Sequence, residues 1–288
     1  MTDAEETRIE QAKSAREGDI ARFLHDSSPS VVRALLGNGH ITEDDVLVMA
    51  TRKNLPPDIF DMIAKDKRWA RSYPICLALA KNPKTPLSAS LSIARHIRLF
   101  DLVEISRSHS LPVVFRHKLE AIIIEKIPTM ALGVKKSLAK IASGEVLLKL
   151  LQDGYPDVVK LCLENPYLVE THLYKVISRH STSPATIRTL AEHGNWTARY
   201  MIKLALIRNA HTPLPFSVRF LGSMKILDLR ELFADPSLSV TVKPLIHREL
   251  VKRGEQPDKV PEEQVYEIDE EDENMIEAFK DEDVNPDG

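Results

Sequence analysis

Set against itself at an offset of about 127 positions, the sequence aligns without a gap, from about Ala12 on Ala139 to about Glu120 on His247, with about 30 identities in about 109 columns. The best-matched stretch runs from Arg68 to Leu87 and falls on Asn195 to Leu214. It superposes Trp69 on Trp196, Tyr73 on Tyr200, Asn82 on Asn209 and Thr85-Pro86-Leu87 on Thr212-Pro213-Leu214. A chain that repeats itself over this span is constrained to folds in which similar units stack and bury each other's apolar faces.

The units are helical. Apolar residues recur at helical spacing, as in Val31, Val32, Leu35 and Leu36 or Ile59, Phe60, Met62 and Ile63, and no sustained alternation points to strands. Proline punctuates the pattern. Thr85-Pro86, Thr212-Pro213, Ser28-Pro29 and Ser183-Pro184 each read as a hydroxyl cap followed by proline at the first helical position, and Pro56-Pro57, Pro112, Pro156 and Pro236 mark other junctions. Such frequent stops predict helices of two to four turns, which depend on packing because nucleation is costly. Pro57 to Pro86 and Pro184 to Pro213 both span about 29 residues, the expected length of one unit. The apolar stretch 121–138, with Ile122-Ile123-Ile124, is expected to form a helix joining the halves.

The expected fold is therefore all-α: an α-solenoid with an internal duplication, residues 1–138 and 139–254 forming its halves and 255–288 an acidic, disordered tail. Met275, Ile276, Ala278 and Phe279 within the tail could form a short helix on a partner. From Glu255 onward about 15 acidic residues face two lysines, so the net charge of −3 divides into a tail of about −13 and a body of about +10. No apolar run reaches the length of about 20 residues that crosses a bilayer, and the acidic start Met1–Glu6 lacks the character of a secretory leader, so a cytoplasmic location without a membrane partner is expected. Cys76 and Cys162 occupy unmatched positions and read as small core residues.

Leu55-Pro56-Pro57-Asp58-Ile59-Phe60-Asp61-Met62-Ile63-Ala64-Lys65-Asp66, followed by Trp69, Leu77-Ala78 and Asn82-Pro83-Lys84-Thr85-Pro86, resembles bacterial leucine-rich repeat variant units, relatives of HEAT-like α-solenoids. Ser183 to Ala191, Trp196 and Asn209 to Pro213 resemble them again. The resemblance implies an architecture and no activity. The spacing of about 29 exceeds that family's shorter repeats, and the cysteine cluster that holds an iron–sulfur centre in one member type has no counterpart here.

Chemistry-bearing motifs are scarce. There is no Gly-x-Ser-x-Gly elbow, no phosphate-binding glycine loop, no dinucleotide fingerprint, no His-Glu-x-x-His and no His-Glu dipeptide of the kind repeated in di-iron HEAT-like hydroxylases. No catalytic residue, cofactor or metal ligand is assigned. His96, His109 and His117 match Ser223, Pro236 and Pro244, so they read as exposed or capping residues. Trp69 and Trp196, each followed by a tyrosine one turn later, read as core wedges rather than a stacking platform, and Asn82 and Asn209 as helix-end residues rather than ligand contacts.

Positive charge kept at both matched positions is more informative. Lys13 and Lys140, Arg22 and Lys149, Arg33 and Lys160, Arg52 and Arg179, Lys81 and Arg208, and Arg116 and Lys243 form such pairs. The expected function is a non-enzymatic scaffold that binds a protein or peptide partner on a partly basic surface. Arg52, Lys81, Arg179 and Arg208 lead the candidate binding residues, with Arg33, Lys160, Arg116 and Lys243 beside them. The alternative is a nucleic-acid-binding HEAT-like protein whose acidic tail competes for the same surface.

Overall fold

A computed structural model describes residues 3–257; from residue 258 on, the acidic tail, with Met275 to Phe279, lies outside the described residues. Among the described residues the protein is all-α, with no strand. It divides into two compact units, Met1–Lys126 and Ile127–Gly288.

The first unit contains α1 (Asp3–Ser14), α2 (Glu17–Ile20), α3 (Pro29–Leu36), α4 (Glu43–Thr51), α5 (Pro57–Lys65), α6 (Tyr73–Lys81), α7 (Leu87–Ala94), α8 (Leu99–Ser106) and α9 (Val113–Lys126). The second opens with a 3-10 turn, Ile127–Thr129. It continues through α10 (Leu132–Ile141), α11 (Gly144–Asp153), α12 (Pro156–Leu163), α13 (Glu170–Ile177), α14 (Pro184–Ala191), α15 (Gly194–Thr197), α16 (Tyr200–Arg208), α17 (Leu214–Leu221), α18 (Ile226–Ala234) and α19 (Lys243–Lys252). Apart from the four-residue α2 and α15, every helix has 8 to 14 residues, the two to four turns that the proline spacing predicts.

Many helices pack against their next-but-one neighbour in the chain. In the first unit α1, α3, α5, α7 and α9 make one row of contacts and α4, α6 and α8 another; in the second, α10 packs on α12, α12 on α14, α11 on α13 and α13 on α16. The apolar faces of the helices supply the core. Val31, Val32, Leu35 and Leu36 of α3 and Ile59, Phe60 and Ile63 of α5 are all buried.

A helix that ends inside such a stack leaves carbonyls without partners. Asparagine resolves this at four places. Asn38 Nδ2 donates to Ala12 O and Ala15 O, both at 2.9 Å, and Asn82 Nδ2 donates to Ala50 O and Arg52 O at 2.8 and 2.7 Å. Asn165 Nδ2 donates to Ala139 O at 2.7 Å, and Asn209 Nδ2 to Ile177 O at 2.6 Å. In all four the side-chain oxygen accepts the backbone N–H two residues on, closing an Asx turn that fixes the amide. The helix-end reading of Asn82 and Asn209 agrees with these bonds, and Asn38 and Asn165, which match each other in the self-alignment, do the same work.

Three local expectations are corrected, the first at Ser28, which stands at the cap position of α3 but whose hydroxyl donates to Glu5 Oε1 at 2.6 Å and makes no cap bond. The threonines of Thr85-Pro86 and Thr212-Pro213 do not cap the helix that follows; the prolines stand at the cap positions of α7 and α17. Each threonine hydroxyl instead donates backward, Thr85 Oγ1 to Leu79 O at 2.8 Å and Thr212 Oγ1 to Leu206 O at 2.6 Å, because the end of the preceding helix has orphan carbonyls within reach. Thr182 bonds Val176 O in the same way, whereas Ser183 caps α14 as expected, accepting from Thr186 N. The stretch 121–138 is not one helix either. α9 ends at Lys126, and Pro128, which has no N–H to donate, sits in the 3-10 turn before α10.

The tryptophans are structural to different degrees. Trp196 is buried at 8% exposure and its Nε1 donates to Leu163 O at 2.8 Å. Trp69 is only half-buried. The tyrosines behave alike: Tyr73 Oη donates to Asp101 Oδ2 and accepts from Arg98 N, and Tyr200 Oη donates to Asp228 Oδ2 and accepts from Lys225 N. Cys76 and Cys162 are buried thiols.

Candidate binding site

The eight cations singled out from the sequence divide equally between the units. In the first, most are already engaged. Arg52 engages its guanidinium with carbonyls of the turn segment between α2 and α3, Nη1 to Leu24 O at 2.5 Å and Nη2 to Asp26 O at 2.8 Å, and burial lowers its pKa against the opposing pull of Asp26. Lys81 pairs with Glu104 at 2.7 Å and Arg33 with Asp58 at 2.7 Å. The Arg33 guanidinium holds the Asp58 carboxyl below the usual range. Arg116 is half-buried, and its Nε is shielded without a hydrogen-bond partner.

The second unit leaves its cations freer. Arg179 and Lys160 are exposed and take part in no ion pair among the described residues, and Arg208 reaches Glu231 only at 3.9 Å. Lys243 opens α19, close enough to Asp235 to help hold that carboxyl charged.

Arg208 lies in a hollow of about 280 Å³ where α13, α16 and α18 end. Three turns form its walls: Ser178 with His180, Asn209 with Ala210 and His211, and Asp235 with Ser237. Their shapes follow from sequence. Asn209 Oδ1 accepts His211 N and Asp235 Oδ1 accepts Ser237 N, each at 2.8 Å, so both turns are pinned by a residue that suits them. Asn209 Nδ2 meanwhile ties the second turn to the end of α13 through Ile177 O. Tyr174, 46% exposed, supplies an aromatic wall.

The electrostatics are mixed. The Asp235 carboxyl is lowered first by the Ser237 hydroxyl, then by the Ser237 N–H, and further by Arg208 and Lys243, so it stays ionised. Arg208 therefore sits between Asp235 and Glu231, with Arg179 unpaired in the adjoining turn. Such a hollow suits a chain segment carrying both a carboxylate for the guanidinium and polar groups for the turn backbone.

No family model, curated protein or solved structure matches this chain. Function is therefore read from geometry.

Of the sequence candidates, Arg208 alone lines the hollow; Arg179 and Lys243 adjoin it through neighbouring residues. Lys160 lies apart on a shallower hollow with Glu164 and His193, whose Nε2 is 2.9 Å from Glu164 Oε1. Sequence reasoning passed over His180 and His211. The self-alignment held a signal for them, since their matched positions are Lys53 and Lys84, two more cations. Among the described residues no group of three or more His, Cys, Asp or Glu side chains is placed to hold a metal ion, and none of their helices is long and apolar enough to cross a membrane.

Proposed function

We propose that the chain is a duplicated α-solenoid of the leucine-rich repeat variant or HEAT-like kind, acting as a non-enzymatic scaffold that binds an acidic peptide segment of a protein partner. The duplication is supported by bonds that recur at matched positions: Asn38 with Asn165, Asn82 with Asn209, Thr85 with Thr212, and Tyr73–Asp101 with Tyr200–Asp228. Ion pairs recur too, Arg8–Asp26 with Lys135–Asp153 and Lys81–Glu104 with Arg208–Glu231. The stacking is supported by next-but-one helix packing within each unit.

The observation that supports the binding role is the hollow at the ends of α13, α16 and α18, with Arg208 on its wall and, beside it, Arg179, which makes no ion pair among the described residues. An Arg–carboxylate contact is planar and bidentate, so a peptide glutamate or aspartate meeting Arg208 displaces the long contact to Glu231 with a shorter one.

The test is fluorescence anisotropy with a labelled glutamate-rich peptide and the full chain. Reversing Arg179 and Arg208 together to glutamate should weaken binding at least about tenfold while circular dichroism stays unchanged. Equal affinity rejects the site. Labelled duplex and single-stranded DNA run in parallel, with and without residues 258–288; tight, steeply salt-dependent DNA binding by the shortened chain would move the function to nucleic acid.

A further inference from the structure

A glycine ends α19 and turns the chain back on itself. Gly254 is left-handed at φ 88°, its N–H donates to Val251 O at 2.9 Å and the Glu255 N–H donates to Leu250 O at 3.0 Å, the two bonds that close a helix and reverse its chain. The reversal carries Glu255 onto α18, where Arg230 donates to its Oε2 through Nη2 at 2.5 Å and Nε at 3.1 Å. Arg253 holds the same end of the helix pair, donating through Nη1 to Met224 O at 2.5 Å and through Nη2 to Gly222 O at 2.9 Å. The last turn of α19 and the first turn of α18 therefore lie together, and the acidic run that begins at Glu255 sets out from them.

This end is both apolar and basic. Leu227 is 65% exposed and Val251 51% exposed, with Ile226 exposed next to Leu227. Arg230 follows Leu227 by one helical turn on the same side of α18. Lys225, at the cap of α18, is exposed and makes no ion pair among the described residues, and Lys252, in the last turn of α19, reaches Glu249 only at 3.9 Å. The repeat itself does not call for this charge, since the position of Arg230 holds Val103, buried at 1%, in the first unit. Exposed apolar side chains among cations suit a ligand that is apolar and acidic at once. Residues 258–288 have that composition: 14 Asp and Glu against Lys259 and Lys280, with Met275, Ile276 and Phe279 among the acids. Residues 127–257 hold 18 Lys and Arg against 11 Asp and Glu, so the segment and the unit that carries it attract each other. A short tether gives an effective concentration of about millimolar, so a modest affinity is enough to fill the face.

We infer that the face made by the first turn of α18 and the last turn of α19 is the docking site of this chain's own acidic segment. Glu255 on Arg230 is its first contact, carboxylates within 262–277 meet Lys225 and Lys252, and Met275, Ile276 and Phe279 cover Leu227 and Val251. The face lies at the start of α18 and the peptide hollow at its end, so this inference stands apart from the proposed binding role.

A water-soluble carbodiimide joins a carboxylate to a lysine amine without a spacer, so it records ion pairs in the full chain, and peptide mass spectrometry locates them. Carboxylates within 262–277 should join Lys225 and Lys252, with the Lys136–Asp157 pair, 2.5 Å apart, as the reference yield. An equal mixture of 14N and 15N chains should give products of one isotope only, because the segment docks on its own chain. Met275→Ser, Ile276→Ser and Phe279→Ser together keep every carboxylate and alter no described residue; they should lower the Lys225 and Lys252 yields about tenfold against the reference, as loss of the apolar contact implies. Leu227→Ser with Val251→Ser should do the same from the other side while circular dichroism is unchanged. Absence of the Lys225 and Lys252 products, equal joining to other exposed lysines such as Lys140 and Lys160, products of mixed isotope, or an undiminished yield in the serine variant of the segment overturns the inference.

Discussion

Replacing Asn82 by alanine removes three hydrogen bonds at once from a side chain only 5% exposed. The two bonds to Ala50 O and Arg52 O matter most, because those carbonyls belong to the buried end of α4 and have no other helical partner. Leaving a buried acceptor unsatisfied costs about 1–3 kcal/mol. Two acceptors therefore set an expected loss of about 3 kcal/mol, allowing for some water entry. Asn209 is half-buried and its amide reaches only Ile177 O, so Asn209→Ala should cost about half as much. Urea unfolding followed by circular dichroism reads both, provided the slope of free energy against denaturant is unchanged between variants. A loss below about 1 kcal/mol for Asn82→Ala, or an equal loss at the two positions, would refute the claim that these amides act by satisfying helix-end carbonyls.

Adjacent lysines should part company: Lys135, 3% exposed and 2.6 Å from Asp153, should cost about 2 kcal/mol on replacement by alanine because a half-buried carboxylate loses its charged hydrogen-bond partner, whereas Lys136→Ala at the exposed pair with Asp157 should leave the unfolding midpoint unchanged. Burial first, and then the bond to Asp101 or Asp228, raises the pKa of Tyr73 and Tyr200, so their folded states favour the protonated phenol. The stability they contribute is present below the ordinary tyrosine value of about 10 and is lost as pH rises through the raised folded value; Tyr73→Phe should flatten that alkaline decline in urea midpoints measured across pH. Burial pushes the Cys162 thiol up to about 12 and raises that of Cys76 as well, so a thiol reagent at neutral pH should modify neither rapidly until denaturant is added, with Cys76, 8% exposed, reacting first.

The self-match at about 127 positions, the helical spacing of apolar residues and the proline stops were enough to establish an all-helical chain of short segments, because those signals are local and each unit repeats them. The same alignment marked Asn82 with Asn209 and Tyr73 with Tyr200 as structural pairs. What the sequence could not supply was the destination of each polar group. Arg52 and Arg179 are both arginines at matched positions, yet one is consumed by Leu24 O and Asp26 O and the other is exposed and makes no ion pair among the described residues. Thr85 reads as a cap for the helix after it and serves the helix before it.

Periodicity and proline spacing thus marked the chain as short helices with apolar faces, but not the break between α9 and α10 within 121–138. Only tertiary packing decided which carbonyls are orphaned, and hence which asparagine, arginine, threonine or indole N–H is drawn inward to satisfy them. The cost of an unsatisfied buried acceptor is settled between chain segments about 30 residues apart, and no local pattern records it. Arg179 escaped this demand: it is exposed and makes no ion pair among the described residues, beside the hollow that Arg208 lines.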